Sequence, residues 1–548
     1  MSFLNDIFAS LERAGQAHVL EEIRDGRING VTGQELLEQV ARARAFLAGR
    51  GLKKGERCSV YAANGIRWVA MDLAAMAEGL IVVPLYARQA PAELVAMMKD
   101  CAPALICCGD SGLSEGIAQQ WPESPPQALF DDIFATLPAA TKQPVLSEAD
   151  PVTIIYTSGT SGEAKGVVLN AGNIAHVLAC IDGRLDLLMD GKKQQDQVFH
   201  YLPLVFAGSW MLLMTSLLRG SRIILNTDLA KIAQDMRAAV PDYFLNVPAL
   251  LERMRRAVDE QLWKAGGFVQ AIYSRAKGAW TRKQEGSPRV LDAMWLSLAN
   301  FAIFPTIRKK MIGRNLRALI CGSAPLSVET QLFFMMLGIP VLQSYGLTET
   351  TAICTLDDPH HYKAGRVGLA IAGIEMKLGE NDEIIVRGPN IFPGYWIRPQ
   401  ETAKALRDGW FHTGDQGEVD GDGNWRIVGR IKNLIILGSG HNIAPEPIEE
   451  KVLEKLPAAS QVLLVGNGKG YLSAIITGNV TPDQAQAAVD AVNPQFPHYK
   501  QIRAFHVRSE SFSIENGLLT ANGKLRRDLI AQTLREEIED MYRVNVAV

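Results

Sequence analysis

Cysteine is scarce and scattered. The seven cysteines of the 548-residue chain stand at Cys58, Cys101, Cys107, Cys108, Cys180, Cys321 and Cys354. None forms a C-x-x-C pair and none is matched to a histidine cluster, so neither a disulfide framework nor a zinc knuckle is expected. Buried free thiols in a reducing compartment account for them. Uninterrupted apolar runs of the roughly 18 residues that a transmembrane helix needs are missing. The first residues, from Met1 to Gly15, lack a basic segment followed by an apolar one, so no signal peptide is expected and the cytoplasm is the default location. Charge of one sign is also missing. A formal net charge of −3 leaves no global footprint for nucleic acid, and no nucleic-acid partner is expected.

What remains is ordinary for a water-soluble globular protein, with 47% hydrophobic and 21% charged residues. The length exceeds what one core serves, so two or more domains are expected. Over residues 31–107 helical and strand patterns alternate. Thr32 can cap a helix with Glu35 as its capping-box partner, and Leu36, Leu37, Val40 and Ala43 follow at helical spacing. Cys58–Tyr61 reads as a strand, Trp68–Gly79 as an apolar helix and Leu80–Leu85 as a buried strand. Such alternation predicts a parallel α/β sheet.

The most informative stretch is Thr157-Ser158-Gly159-Thr160-Ser161-Gly162, closed by Lys165-Gly166. Its glycines let backbone N–H groups turn inward as an anion nest, its hydroxyls add donors, and Lys165 adds a positive charge. Apolar segments on both sides make it a turn between two strands rather than a linker. A polyphosphate is the guest this chemistry suits. The P-loop pattern G-x-x-x-x-G-K-[ST] is excluded, because Gly166 follows Lys165.

This loop resembles the phosphate-loop signature of the adenylate-forming superfamily, which holds acyl-CoA synthetases, luciferases and peptide-synthetase adenylation domains. Further segments resemble that family in order. Gly322-Ser323-Ala324-Pro325 looks like the adenine-side loop. In Tyr345-Gly346-Leu347-Thr348-Glu349 a Tyr face can stack on a purine, Thr348 can donate to phosphate, and Glu349 is the candidate ligand for Mg²⁺ beside a polyphosphate. Asp415 suits a carboxylate gripping ribose hydroxyls, and Arg430 a second ribose or phosphate contact. Lys432 matches the hinge, and Lys524 aligns with the catalytic lysine. Gly438, Ser439, Gly440 and His441 match a loop that a rotating small domain brings to the CoA side.

The resemblance implies an α/β fold. A large N-terminal domain of several subdomains (1–431) would hold parallel sheets flanked by helices plus a β-barrel-like part. A small mobile α+β domain (432–548) would follow. It implies ATP, Mg²⁺ and CoA as reactants, with Lys524, Thr348 and Glu349 carrying the chemistry. Details around Val247-Pro248, Ala444–Pro447 and Glu515–Thr520 are similar to long-chain fatty acyl-CoA synthetases, so a fatty acid is the expected substrate. A ligase that passes the acyl group to an acyl carrier protein is the alternative.

Tyr201, Phe206, Gly208 and Trp210 are acyl-pocket candidates, although a plain core helix explains most of them equally well. Relatives often carry a His where Phe206 stands, and an aromatic there suits an apolar tunnel wall. Finally, residues 250–314 interleave Arg and Lys with Trp, Phe and Tyr. Two readings stand for this insertion: a helical unit packed on the body with a solvated basic face, or a segment that contacts an anionic membrane peripherally.

Overall fold

The computed structural model describes residues 2–24, 26–139, 145–158, 164–191, 195–264, 266–284, 286–313, 315–520 and 523–543. Among these residues the strands group into sheets of nine, seven, five, three and two. The seven-stranded sheet contains the elements read at the start of the chain. Strands Arg57–Ala62 and Ile81–Tyr86 pair in parallel, with Cys58 opposite Val82, and helix Ile66–Ala77 connects them. Their nearly unbroken apolar runs follow from burial on both faces. Helix Gly33–Gly49 starts with the expected capping box: Glu35 N donates to Thr32 Oγ1 at 3.2 Å, and Thr32 N donates to Glu35 Oε2 at 2.8 Å.

At one edge of this sheet, strand Pro151–Ser158 turns back antiparallel into Ala164–Asn170, with Thr157 opposite Lys165. Strand Gly394–Tyr395 then pairs with Ala164–Asn170. The nine-stranded sheet is parallel through its middle. Strands Tyr243–Asn246, Ala318–Cys321 and Val341–Tyr345 lie side by side. The barrel-like part is an open antiparallel sheet that includes Glu383–Arg387, Trp410–Val419 and Trp425–Arg430.

The main core lies around four helices, Phe3–Ala14, Gly33–Gly49, Ile66–Ala77 and Ala207–Arg219, and includes Trp68 and Trp210. The insertion forms helices Pro248–Lys264, Gly267–Gln284, Asp292–Ala302 and Phe304–Met311. Its Leu251, Ile272, Ala276 and Phe304 share one apolar cluster with Phe199, Phe244 and Phe334 of the body. Arg255 pairs with Glu329 at 3.1 Å, and Arg275 lies 4.4 Å from the ring centre of Trp295. The insertion is therefore packed on the body, yet it leaves Phe268, Val290, Leu291, Met294 and Phe301 exposed.

A smaller domain follows. Strands Ala459–Val465, Leu472–Gly478 and Ile502–Arg508 form its sheet. Alternate residues serve opposite faces. Val462, Leu464, Ala474 and Ile476 pack with helices Glu446–Lys455 and Pro482–Val492. Leu463 and Ile475 pack with Ile530, Leu534 and Met541 on the other side. Among the described residues no helix is long and apolar enough to cross a membrane.

One polar contact sits inside the main core. Trp210 Nε1 donates to Asp72 Oδ2 at 2.7 Å, and both side chains are buried. Burial pushes the Asp72 carboxyl up to about 7 against the opposing pull of the Trp210 bond. A folded-state value above the ordinary one means that stability is fully present at acid pH and is lost as pH rises from about 4 to 7. Asp72→Asn keeps an acceptor for the indole and removes the charge. Its stability relative to the parent chain, measured by urea melts, should rise across that window by about 3 kcal/mol and level off above it. A pH-independent difference would contradict a buried, protonated Asp72.

Candidate active site

A cleft of about 2000 Å³ opens between the large and the smaller domain. The carboxyl ends of two parallel strands, Ala318–Cys321 and Val341–Tyr345, lead into it, which is where open α/β sheets bind ligands. Ser323, Ala324 and Pro325 follow the first strand and line the cleft. Gly322 precedes them, and a Cβ on it would come within 2.8 Å of Ser344 Oγ. Ser323 holds φ at +74°, a conformation that costs a non-glycine residue energy and is concentrated at functional turns. Tyr345 and Gly346 follow the second strand. A Cβ at Gly346 would sit 2.3 Å from the Ala352 carbonyl oxygen, so only glycine allows this close backbone approach.

Asp415 ties the walls together. It lies on strand Trp410–Val419 and is only 4% exposed. Tyr345 Oη donates to its Oδ2 at 2.9 Å, and Arg430 Nε pairs with its Oδ1 at 2.9 Å. Arg430 stands directly opposite Asp415 on the neighbouring strand Trp425–Arg430. Asp415 N donates to Thr413 Oγ1, which in turn donates to the Ile384 carbonyl. Burial, with the Asp415 charge adding to it, raises the Tyr345 hydroxyl well above the ordinary tyrosine value and keeps it a donor. Each carboxylate oxygen of Asp415 retains room for a further donor.

Glu349 lies in the short helical turn Thr348–Thr350, half-buried together with Thr348. Tyr395 Oη donates to Glu349 Oε1 at 2.9 Å. Among the described residues no cluster of three His, Cys, Asp or Glu side chains could hold a metal ion by itself. A lone carboxylate fits Mg²⁺ that arrives with phosphate oxygens and water as its other ligands. Lys165 does not extend as a free charge. Its Nζ pairs with Glu401 Oε2 at 2.7 Å and lies 5.4 Å from the Tyr395 ring centre. The Lys165 ammonium, helped by Lys404, holds the Glu401 carboxyl down at about 2. Thr157 is at the end of the first hairpin strand. Gly159, Thr160, Ser161 and Gly162 lie outside the described residues, as does the side chain of Ser158.

The smaller domain contributes Lys524 to the same cleft. Its side chain is exposed to the water of the cleft. Loss of surrounding water, and then repulsion from Arg430, lower its pKa, while Asp415 and Glu349 oppose that fall. Lys432 lines the cleft too and is pushed down to about 8 by the same screening from water and by Arg430. Lys524 is thus within electrostatic reach of Arg430, Asp415, Glu349 and Lys432, although these residues span positions 349 to 524.

Gly438, Ser439, Gly440 and His441 lie elsewhere. They cap the hairpin between Ile435–Ile436 and Asn442–Ile443 and do not line the cleft. Ser439 Oγ and His441 Nδ1 are 2.9 Å apart, and His441 stacks on Tyr499 with ring centres separated by 4.2 Å. The four acyl-pocket candidates do not gather at one place, and none lines the cleft. Tyr201 Oη accepts from Val247 N at 3.2 Å and lies in the cluster under the insertion. Phe206 lies 5.9 Å from Tyr86, at the start of the helix that carries Gly208. Trp210 points into the core toward Asp72.

Sequence reading missed Tyr395 and Glu401. Their partners, Glu349 and Lys165, are distant in the chain, and nothing local in Gly394-Tyr395 or Gln400-Glu401 announces the contact.

Comparison with known proteins fits this geometry. The profile of the AMP-binding enzyme family matches residues 9–396, and that of the AMP-binding enzyme C-terminal domain matches 432–545. The long-chain-fatty-acid–CoA ligase FadD15 of Mycobacterium bovis is 26% identical over 96% of this chain and 94% of its own. The long-chain-fatty-acid–CoA ligase ACSBG2 of Gallus gallus is 26% identical, over 87% of this chain and 73% of its own. Among solved structures, o-succinylbenzoate CoA synthetase of Bacillus subtilis with its acyl-adenylate intermediate superimposes with a TM-score of 0.75. It shares 21% identity and covers 96% of this chain and 97% of its own. The family profile spans well over half of the sequence, and the chain belongs to the AMP-binding enzymes.

Proposed function

We propose that this chain is an AMP-forming acid–CoA ligase whose acid is a fatty, long-chain carboxylate. The observation that carries the reading is the convergence of Lys524 with Asp415 and Arg430 in one cleft, near enough to Glu349 for its charge to act on Lys524. The reaction sets a carboxylate against the α-phosphate of ATP, anion against anion, so charge neutralisation is its main demand. A carboxylate oxygen attacks phosphorus, a C(O)–O–P bond forms, and pyrophosphate leaves. The thiol of CoA then attacks the acyl carbon, and AMP leaves with the oxygen it gained.

Each residue has a task in this scheme. Asp415 accepts from the ribose hydroxyls in addition to Tyr345 and Arg430. The Tyr345 face packs on the purine beside the Gly322–Pro325 turn. Glu349 would hold the Mg²⁺ that accompanies ATP, and Tyr395 orients Glu349. Lys165 turns from Glu401 toward phosphate when the nucleotide binds. Lys524 places its ammonium where charge builds during the first step. Residues 432–548 then rotate about Lys432 to exchange Lys524 for the Gly438–His441 loop. A fatty substrate is supported by the names of the relatives at 26% identity.

Lys524→Ala should slow acyl-adenylate formation by about 10²-fold or more, the scale of losing one transition-state charge contact. Thioester formation from supplied acyl-AMP should be spared. Equal loss in both half-reactions, each followed by rapid quench, would refute this division of labour. Mass spectrometry of products from a ladder of fatty acids, with ATP and Mg²⁺, tests the acceptor. Acyl-CoA should appear only when CoA is added. Acyl-AMP that accumulates while CoA is ignored would sink the CoA assignment and favour a carrier protein.

The insertion supports a peripheral membrane contact as part of the same reading. Val290 and Phe301 are 96% and 88% exposed, and Phe268, Leu291 and Met294 extend the apolar surface on a basic unit. Liposomes containing anionic lipid should co-sediment the protein at low salt, and Phe268→Asp with Phe301→Asp should abolish this. Failure to bind such vesicles at low salt would exclude the contact.

A further inference from the structure

The smaller domain grips the large one two residues away from Lys524. Arg526 Nη2 donates to Glu93 Oε1 at 3.0 Å, an ion pair between the smaller and the large domain. Among the described residues the other side-chain hydrogen bond between the domains runs from Arg256 Nη1 to the Pro457 carbonyl at 3.2 Å.

The geometry couples Arg526 to Lys524 closely. Leu525 forms a short antiparallel bridge with Leu519 and packs into the smaller domain's own apolar cluster. Extended backbone sends alternate side chains to opposite sides, so Lys524 and Arg526 leave together on the side away from Leu525. The segment is also pinned. Thr520 N donates to the Lys524 carbonyl at 2.8 Å, Lys524 N donates to Thr520 Oγ1 at 3.1 Å, and Arg526 N donates to the Leu518 carbonyl at 3.0 Å. A displacement at Arg526 is therefore passed to Lys524.

Glu93 is prepared for its partner. It stands in the first turn of helix Pro91–Cys101, where the helix dipole favours a carboxylate. Gln89 Nε2 donates to its Oε2 at 2.8 Å, which leaves Oε1 for Arg526. Arg527, next in the chain, turns the other way and pairs with Glu449 inside the smaller domain. The two adjacent arginines thus divide their work. Arg527 holds its own domain together, and Arg526 reaches across.

We infer that Glu93 and Arg526 are positioning residues: their pair registers Lys524 in the cleft for adenylate formation and must open before the thioester step. The inference rests on the ligase reading above. Both partners are about one-third exposed or more, so the pair adds little to folding stability. The balance between two domain orientations is finer, and a small bias there shifts populations several-fold.

The test uses the full chain carrying Glu93→Arg, Arg526→Glu, or both. Rapid quench measures acyl-AMP formation, and a second assay measures thioester formation from supplied acyl-AMP. Each single reversal should slow the first step by about three- to tenfold, as expected for turning an attractive surface pair into a repulsive one. It should leave the second step equal or faster, with an unchanged melting temperature. The double swap should restore the first step to within about twofold, since opposite charges face each other again. Singles that leave adenylation unchanged, singles that slow both steps equally, or a swap that restores nothing would each overturn the inference. Absence of acyl-AMP from the unaltered chain would instead count against the ligase reading itself.

Discussion

Asp415 holds Tyr345 with one oxygen and Arg430 with the other while being almost wholly withdrawn from water. A buried carboxylate is costly unless it is paired and hydrogen-bonded, and this one is both. Its partners join three pieces of structure. Tyr345 ends a strand of the nine-stranded sheet, Asp415 lies in the antiparallel sheet, and Arg430 ends the last strand before the smaller domain. The turn Gly322–Pro325 and the turn Thr348–Thr350 flank the same point. If the Asp415 contacts failed, the walls of the cleft would lose their register and Lys524 would have no fixed target.

The electrostatics of the cleft follow from what it must receive. Several cations face it, and some are balanced by carboxylates. Arg430 is held by Asp415 and Arg527 by Glu449, while Lys165, outside the lining, is held by Glu401. Lys524 and Lys432 instead have lowered pKa values, because close protein walls and Arg430 disfavour their charge. A polyphosphate entering the cleft would favour the charged form of both lysines. In the proposed reaction, the reason for Lys524 to remain in the cleft weakens once pyrophosphate has left, which fits the proposed rotation of residues 432–548.

Much of the cleft was legible in the sequence, because its walls are built from local devices. A Gly-Ser-Ala-Pro turn after a strand, a glycine that only a close backbone approach can explain, and an Asp after a glycine in a strand each announce themselves within a few residues. The parallel sheets were legible from the apolar runs around Val60 and Val83, and the Thr32 cap from its Glu35 partner. Side-chain pairing between distant segments was not. Lys165 read as a free positive charge and is paired with Glu401. Trp210 read as a pocket candidate and turned toward Asp72, since periodicity gives the face of a helix but not which neighbour that face meets. For residues 250–314 the sequence allowed a packed unit or a surface-active one. The structure shows a unit packed through Leu251, Ile272 and Phe304 that still exposes Phe268 and Phe301.

The account rests on the acid being activated as an adenylate, and oxygen labelling tests that most directly. The chain would turn over a fatty acid carrying ¹⁸O in its carboxylate, with ATP, Mg²⁺ and CoA, and the nucleotide product would be weighed. Attack of the carboxylate on the α-phosphorus, followed by thiol attack on the acyl carbon, leaves one labelled oxygen in AMP per turnover. Label in inorganic phosphate with ADP as the nucleotide product would mean an acyl phosphate instead, and would contradict the roles given to Asp415, Glu349 and Lys524.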